Sequence, residues 1–408
     1  MRLAVLGGGI AGTAAAWAAR RGLADVTSIF DRPGASSLYS GALDDVPWEE
    51  AALDSSLDSE LLAFSVALEA WSVGTRSARI ATGDGVLRPA RGRDSSLLDL
   101  SAVAGGRVAV VTTQVDGWDG AALARSLTAS PWAKRTRTRI DSVTVDGAFD
   151  PEERHAGSYD LAALHDEPAR LARLAECVRA SRAPADAWLF GPWLGAAPGS
   201  AEALVALLGK PCGETTSPPG GPAGARFDAS RDALLANVGV QVRHERVRSL
   251  EPRGNRYLVD GSGGGLTAND AGFDAVILAI GGIVGGGIVL EGDGFSGAGA
   301  TLSTRLHPGT FRPSVRSRVE IGLDGRALDR ASSERGFDLA ALGMTALERV
   351  GILAEGAAAR GAPSVFVAGD CVADLTRTAL AAARSGIAAA RAVIALGAGT
   401  EARRLAAP

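Results

Sequence analysis

Short apolar runs, each ending in glycine or a polar residue, alternate along the chain with stretches of helical character. Residues 3–6, LAVL, precede GGGIAG and the helix-like TAAAWAARRG, and VTSIFD at 26–31 predicts a second strand. FDAVILAIGG at 273–282 and PSVFVAG at 363–369 contain the unbroken apolar runs AVILAI and VFVA, as strands do when both faces of a parallel sheet are covered. This alternation predicts an α/β fold.

The opening segment has the order strand, glycine turn, helix, in which G-x-G-x-x-G binds a dinucleotide. Gly7 permits the tight turn, Gly9 lets a pyrophosphate approach the backbone, and Gly12 lets the helix pack closely on the strand. The helix N-terminus offers N–H groups to the phosphates. An ordinary glycine-rich turn is the alternative. The predicted contacts in this turn are Gly7, Gly9, Ile10, Ala11 and Gly12.

Carboxylates and glycines stand at the predicted strand ends, where ligands of α/β sheets bind. Asp31 lies roughly 20 residues beyond the turn, where a carboxylate accepts hydrogen bonds from ribose hydroxyls. Asp370 is a candidate acceptor for a sugar or ribityl hydroxyl. A solvated Asp31, a plain turn at 281–282 and a helix N-cap at Asp370 are the alternatives. The further candidate contacts are Asp31, Arg32, Val247, Gly281, Gly282, Gly369 and Asp370.

Nucleotide-domain elements occur at both ends of the chain, and the middle is differently made. We expect residues 1–75 and 221–408 to form one domain and residues 76–220 to be inserted into it. A turn-rich boundary precedes FDASRDALLANVGV, which predicts a helix beginning after Asp228 or Ser230. The basic run KRTRTR at 134–139 predicts a solvated strand or hairpin, with a docking patch as the alternative.

Composition excludes several other classes of protein. The formal net charge of −4 gives no reason to expect a nucleic-acid partner, and the three cysteines, lying far apart, support neither a disulfide framework nor a metal or iron–sulfur site. No signal-peptide pattern is present, and the longest uncharged run, at 275–290, is short and glycine-rich for a membrane span. We expect a cytoplasmic protein that reaches a membrane only through a partner.

The segment SSLYSGALD at 36–44 resembles the serine-glycine segment that follows the second strand in the second subunit of anaerobic glycerol-3-phosphate dehydrogenase. AVILAIGGIVGGGIVLEG, a strand running into glycines, is similar to another segment of that family. The glycine turn, the acidic strand end and the final Gly-Asp resemble two-domain FAD-dependent oxidoreductases more broadly, including succinate dehydrogenase and fumarate reductase flavoproteins. The resemblance implies a Rossmann-like FAD-binding domain with an inserted α+β substrate domain.

The same resemblance implies that Ser40, Gly41 and Ala42 lie against the flavin ring, where small residues leave room for it; a merely polar loop is the alternative. Members of the family use either FAD or FMN; the pyrophosphate turn of this chain favours FAD, with FMN as the alternative. The chain departs from the family after Gly369-Asp370, where CVADLTRTALAAARSG replaces a glycine-rich segment. Electrons would pass to a partner subunit or to a diffusible acceptor.

Oxidation of an alcohol on flavin needs a base for the hydroxyl proton, and a phosphate-bearing substrate favours arginine. RLHPGTFRPSVRSR at 305–318 supplies His307 as the candidate base, with Arg305 and Arg312 beside it. The predicted function is oxidation of a small hydroxylated substrate, as in glycerol-3-phosphate dehydrogenation. The alternatives are amine or ene redox chemistry on the same scaffold, and a flavin- or nucleotide-binding subunit without turnover.

Overall fold

A computed structural model describes residues 1–23, 25–43, 59–261, 272–282, 284–291, 301–304, 315–316 and 351–406. The helices within these ranges are α1 (Ile10–Arg20), α2 (Ser59–Leu68), α3 (Gly120–Ala129), α4 (Pro131–Thr136), α5 (Ser158–Leu164), α6 (Pro168–Ala180), α7 (Ser200–Leu208), α8 (Pro222–Asn237) and α9 (Ala379–Ala406).

The strands, in chain order, are β1 (Arg2–Leu6), β2 (Asp25–Ile29), β3 (Ala42–Leu43), β4 (Trp71–Ala81), β5 (Leu87–Asp94), β6 (Arg107–Thr112), β7 (Arg139–Thr144), β8 (Ala187–Phe190), β9 (Cys212–Glu214), β10 (Gln241–Arg243), β11 (Val247–Arg253), β12 (Arg256–Gly261), β13 (Ala275–Leu278), β14 (Ile288–Glu291), β15 (Thr301–Thr304), β16 (Val315–Arg316), β17 (Gly351–Ile352), β18 (Ala354–Glu355), β19 (Ala358–Ala359) and β20 (Ala362–Val367).

The largest sheet draws its strands from both ends of the sequence. Its order is β10-β2-β1-β13-β20-β19-β18, and the five strands from β10 to β20 are parallel. Alternate side chains enter two cores: Leu3 and Val5 pack with α1, α8 and α9, whereas Ala4 and Leu6 pack with β11 and β12. Both faces are therefore covered, which explains the continuous apolar runs and confirms the Rossmann-like class.

A second parallel sheet, of order β7-β6-β8-β9, is built from residues 107–214 alone. Val108 and Val110 pack under α3 and α4 on one face, and Ala109 and Val111 pack under α5, α6 and α7 on the other. The resemblance predicts α+β structure for the middle of the chain. The antiparallel sheet β3-β5-β4, which adjoins the four-stranded sheet, has this character. The four-stranded sheet itself is wound like an α/β unit.

Two local expectations are wrong. Helix α8 begins at Pro222, not after Asp228 or Ser230, because proline is favoured in the first turn, where its missing N–H leaves no bond unmade. The run KRTRTR is neither a strand nor a hairpin. Its first three residues end α4, Arg137 is left-handed, and only Arg139 belongs to a strand, β7.

The last helix, α9, is the one stretch among the described residues that is long and apolar enough to cross a membrane. This stretch, Ala379–Gly399, has a mean hydropathy of 1.5 and is 44% buried within the structure. Ala383 and Ala390 are fully buried in the core shared with α1. A core helix has the same length and composition, so this stretch is weak evidence for a membrane span.

Candidate functional site

A cavity of about 270 Å³ lies at the carboxyl ends of β1, β2, β13 and β20, and we call it the glycine cavity. It contains most of the residues that the sequence predicts as nucleotide contacts. The predicted residues on its wall are Gly7, Gly9, Ile10, Ala11, Asp31, Arg32, Val247, Gly281, Gly369 and Asp370. Segments 240 to 363 residues apart in the sequence, such as Gly7 with Val247 or Asp370, therefore meet at one sheet edge.

The glycine turn is fitted closely to its surroundings. Gly7 has a φ of +123°, and a Cβ at this position would lie 2.1 Å from the carbonyl oxygen of Ala279. A Cβ on Gly12 would lie 1.9 Å from the carbonyl oxygen of Gly7. Gly12 does not line the cavity. The absence of a side chain at this position lets α1 pack closely against the turn, as the spacing predicts.

Two side chains that sequence analysis missed hold this turn in place. The buried hydroxyl of Ser36 accepts a hydrogen bond from the N–H of Ile10 at 3.3 Å, in the first turn of α1. Arg231, on α8, donates to the carbonyl oxygen of Gly8 at 3.1 Å, and its guanidinium lies over the ring of Phe30 at 4.8 Å. Neither partner is close in sequence, so no local pattern marks them.

The edge of the cavity formed by β2 carries exposed polar groups. Asp31 follows β2 and lies 3.6 Å from the guanidinium of Arg32. Its side chain is exposed to solvent, as the alternative interpretation predicts, and it also lines the cavity. Val247 lines the same side, beside Glu245, whose N–H donates to the carbonyl oxygen of Phe30 at 3.1 Å. Asp31, a hydrogen-bond acceptor, and Val247, an apolar side chain, thus lie on the side of the cavity where a ribose and a base are expected.

The opposite edge is formed by the two glycine segments that follow β13 and β20. Gly281 and Gly369 line the cavity, whereas Gly282 packs against the backbone of Asp370, where a Cβ would meet its carbonyl oxygen at 2.7 Å. Helix α9 begins at Ala379 and is capped by Thr378, so Asp370 is not the N-cap of that helix. Burial raises the pKa of the Asp370 carboxyl, and Arg377 opposes that shift.

The segment Tyr39–Gly41 runs between the glycine cavity and a second cavity. Tyr39 lines the first and Ser40 lines the second, whereas Gly41 and Ala42 line neither. The segment is fixed by three hydrogen bonds: Tyr39 Oη donates to Asp94 Oδ2 at 3.1 Å, the N–H of Asp94 to Gly41 O at 2.6 Å, and the N–H of Ser217 to Ser40 O at 2.8 Å. Burial raises the pKa of Tyr39, and Asp94 adds to the shift.

Beneath this segment lies a fully buried group of charges that connects helix α8 with strands β5 and β9. Arg226 Nε donates to Asp94 Oδ1 at 2.9 Å and Arg226 Nη2 to Glu214 Oε2 at 2.8 Å, and all three side chains are 0% exposed. Arg226 also donates to the carbonyl oxygen of Gly195, and the N–H of Leu194 donates to Glu214. One cation is thus shared by two carboxylates, which leaves an excess negative charge in the interior.

This arrangement predicts a pH dependence of stability. Burial raises the pKa of Glu214 from 4.5 to about 7, against the attraction of Arg226. The folded state therefore binds a proton that the unfolded state has lost, so this group's contribution is present below pH 4.5 and is lost as pH rises through about 7. From pH 5 to pH 8 the loss is about 2–3 kcal/mol. Urea unfolding of Glu214→Gln is expected to have a flatter pH profile than the wild type.

The matched control for that experiment is Glu202→Gln, which removes an exposed carboxylate on α7. Its unfolding profile is expected to follow that of the wild type. Equal slopes for wild type and Glu214→Gln between pH 5 and pH 8 would contradict the assignment of this titration to Glu214.

The second cavity, of about 520 Å³, lies at the carboxyl edge of the four-stranded sheet, and we call it the tryptophan cavity. Its wall includes Trp118 and Trp193, whose rings meet edge to face at 4.9 Å. Sequence analysis missed this cavity, because its wall comes from loops far apart in the chain. The polar side chains on its wall are Ser40, Thr82, Asp84, Arg88, Asp116, Ser158, Thr216 and Ser217.

Three histidines fall within the described ranges, and none lines either cavity. His155 Nδ1 lies 2.6 Å from Asp116 Oδ2, and this contact lowers the pKa of Asp116. His165 is buried beneath the second cavity, where its Nδ1 lies 2.7 Å from the carbonyl oxygen of Trp193. His244 packs edge to face on Phe30. The candidate catalytic residues His307, Arg305 and Arg312 lie outside the described residues.

Comparison with known proteins gives no family. No protein-family model matches the chain, and no curated protein matches it. Similar solved structures include glycine oxidase from Geobacillus kaustophilus (14% identity, 96% of this chain and 94% of that one, TM-score 0.34) and iminodiacetate oxidase from Chelativorans sp. BNC1 (14% identity, 98% and 95%, TM-score 0.32).

A flavoprotein/dehydrogenase from Cytophaga hutchinsonii is also similar, at 10% identity over 98% of this chain and 79% of that one, with a TM-score of 0.35. Likeness at these identities and scores supports neither a family nor an activity. The chemistry of the site must therefore be inferred from the two cavities and the segment between them.

Proposed function

We propose that this chain is an FAD-dependent oxidoreductase that oxidises a small hydroxylated substrate. One observation carries the proposal: the glycine turn, Asp31, the glycines after β13 and Gly369-Asp370 all meet in one cavity at the carboxyl ends of parallel strands. Parallel α/β sheets bind dinucleotides at this edge. In the proposed division, residues 1–75 and 221–408 hold the cofactor and residues 76–220 contribute to the substrate site.

The shape of the site favours FAD over the shorter FMN. Backbone at Gly7 and Gly9 can approach a pyrophosphate, and the first turn of α1 presents its positive end there. The glycine cavity by itself is slightly smaller than the roughly 300–1,000 Å³ of most ligand pockets. A long cofactor must therefore extend beyond it, and Tyr39–Gly41 leads from its wall to the tryptophan cavity.

In this proposal each part of the chain has a distinct task. Bound FAD supplies the acceptor for a hydride from the substrate carbon. Ser40 and Gly41 lie between the cavities on a segment that three hydrogen bonds hold rigid, as a positioned site requires. His307 is the proposed base for the hydroxyl proton, and Arg305 and Arg312 are the proposed partners of an anionic substrate group.

The purified protein is expected to be yellow and to release FAD on denaturation, as measured by its absorbance spectrum and by the mass of the released compound. Anaerobic addition of glycerol 3-phosphate, the substrate suggested by the resemblance, is expected to bleach the flavin band. If glycine bleaches the flavin and no alcohol does, the proposed substrate is an amine and not an alcohol. Release of FMN would contradict the dinucleotide assignment.

A protein that stays colourless after incubation with both flavins would overturn the proposal. Amine oxidation on the same scaffold, which the sequence leaves open, is the second candidate. Cofactor binding at the glycine cavity and ligand binding at the tryptophan cavity can be tested separately, because the two cavities share no lining residue.

A further inference from the structure

The tryptophan cavity lies where the winding of the four-stranded sheet reverses. From β6 the chain crosses to β7 on one side, and then returns past β6 to β8 and β9 on the other. The helices divide accordingly, with α3 and α4 on one face and α5, α6 and α7 on the other. In open parallel sheets the crevice outside the carboxyl ends of the two strands flanking such a reversal is where ligands bind.

The cavity wall comes from the loops that this rule designates. Residues 115–118 follow β6, and Pro192 and Trp193 follow β8, the two strands that flank the reversal. Residues 216–218 follow β9 and complete the same edge. A cavity of about 520 Å³ falls within the roughly 300–1,000 Å³ of small-molecule sites, so the crevice is large enough for a ligand of sugar size.

The chemistry of the wall suits hydroxyl groups. Ser158, Thr216 and other hydroxyls can both donate and accept hydrogen bonds, and the carboxylates of Asp84 and Asp116 accept them. The apolar bodies of Trp118 and Trp193 can cover the carbon-bound hydrogens of such a ligand.

Charge argues against a phosphate as the main recognised group. The described wall has two carboxylates, Asp84 and Asp116, and one cation, Arg88, so it carries no excess of positive charge. Arg154 Nη2 and His155 Nδ1 lie 3.5 and 2.6 Å from the carboxylate of Asp116, and neither residue lines the cavity. A phosphate is bound best where arginines outnumber carboxylates, whereas a neutral polyol needs only acceptors and donors.

We propose that the tryptophan cavity binds a small polyol or sugar through its hydroxyl groups, at the reversal point of the second sheet. That this ligand is the substrate rests on the proposed function, because Ser40 on the cavity wall belongs to the segment that adjoins the cofactor site. The binding itself does not depend on flavin. The two statements are therefore tested separately.

The test is a titration of the flavin-free and flavin-loaded protein with glycerol, ribitol, glucose, glycerol 3-phosphate and inorganic phosphate. Binding is measured by tryptophan fluorescence and by calorimetry. At least one polyol is expected to bind saturably to both forms, and inorganic phosphate is not expected to compete with it. Asp84→Asn, which replaces a charged acceptor by a neutral one on an exposed turn, is expected to weaken binding roughly fivefold.

Two further variants guard against misreading. Asp146→Asn, on an exposed turn outside the cavity, is the matched control and is expected to bind like the wild type. Gly83→Leu is expected to fold and to weaken binding roughly tenfold or more, because a Cβ on Gly83 meets no atom within 4 Å and the added side chain fills space at the cavity.

Three outcomes would overturn the inference: no polyol binds either form, Asp84→Asn and Gly83→Leu bind as tightly as Asp146→Asn, or inorganic phosphate binds as well as the polyols. Flavin binding with no polyol binding leaves the proposed function in place and removes this inference. Polyol binding to a protein that takes up no flavin does the reverse.

Discussion

Replacement of Arg226 by methionine is expected to lower the free energy of unfolding by about 3–5 kcal/mol. The substitution leaves the carboxylates of Asp94 and Glu214 buried without their shared cation, and the carbonyl oxygen of Gly195 without its donor. Removing one partner of a buried ion pair costs far more than removing all of it, because the remaining charge stays uncompensated. Urea unfolding, monitored by circular dichroism, measures the loss.

The control is Arg248→Met, which removes an exposed guanidinium from β11 and is expected to change the unfolding free energy by no more than about 0.5 kcal/mol. The triple variant Arg226→Met, Asp94→Asn, Glu214→Gln is expected to recover part of the stability, since no uncompensated charge remains. If Arg226→Met unfolds at the wild-type urea concentration, the buried group does not stabilise the packing of α8 on β5 and β9.

The same substitution has a consequence for the proposed cofactor site. Tyr39 donates to Asp94, and the backbone of Asp94 donates to Gly41, so the carboxylate that Arg226 holds also holds the segment between the cavities. We expect flavin uptake by Arg226→Met to fall even at temperatures where the protein stays folded. Arg226 acts here as a positioning residue, through Asp94, and touches no wall of the glycine cavity.

Replacement of Gly7 by alanine is expected to have the second large effect, a destabilisation of about 4 kcal/mol and a roughly tenfold lower flavin occupancy. Two causes add. A φ of +123° is strained for any residue with a side chain, and the new Cβ would meet the backbone oxygen of Ala279 at 2.1 Å. That oxygen belongs to backbone at the end of β13, which is fixed in the sheet, so the glycine turn must shift to relieve the contact.

A graded series separates this clash from a general effect of glycine replacement. Gly9→Ala is expected to be milder, because its Cβ meets only the side-chain hydroxyl of Ser36, at 3.0 Å. Gly399→Ala, in α9 with no neighbour within 4 Å, is expected to be neutral or up to about 1 kcal/mol stabilising through helix propensity. Unfolding midpoints and flavin content measure all three. An equal response of Gly7 and Gly399 would contradict the close fit of the turn.

Most residues that the sequence patterns single out as nucleotide contacts lie together at one sheet edge, because each pattern is local to one turn or one strand end. Gly7, Gly9 and Gly12 lie on one turn, and strand ends in a parallel sheet share one edge, so Asp31 and Asp370 could be placed together without knowing the strand order. The start of α8 was missed because Pro222 looked like part of a boundary turn, whereas proline in a first turn also begins a helix.

The tryptophan cavity and the buried charges were not predictable in the same way. Arg226 lies 132 residues from Asp94 in the sequence, and no periodicity links them. Asp84, Asp116 and Trp193 stand in three unrelated loops, and only the order of the four-stranded sheet brings those loops to one edge. Local patterns report propensity, whereas these contacts depend on tertiary topology.

The position of β1 in the large sheet also bears on how the molecule is made. Leu3 pairs with Ala275, a partner 272 residues later, whereas the four-stranded sheet is complete once residue 214 has been synthesised. During translation we expect the middle of the chain to fold on the ribosome while β1 still lacks one neighbour, since domains fold as units and distant pairings form slowly. The cofactor site would therefore be completed last, when β20 emerges, and nascent chains arrested before residue 362 would not retain flavin.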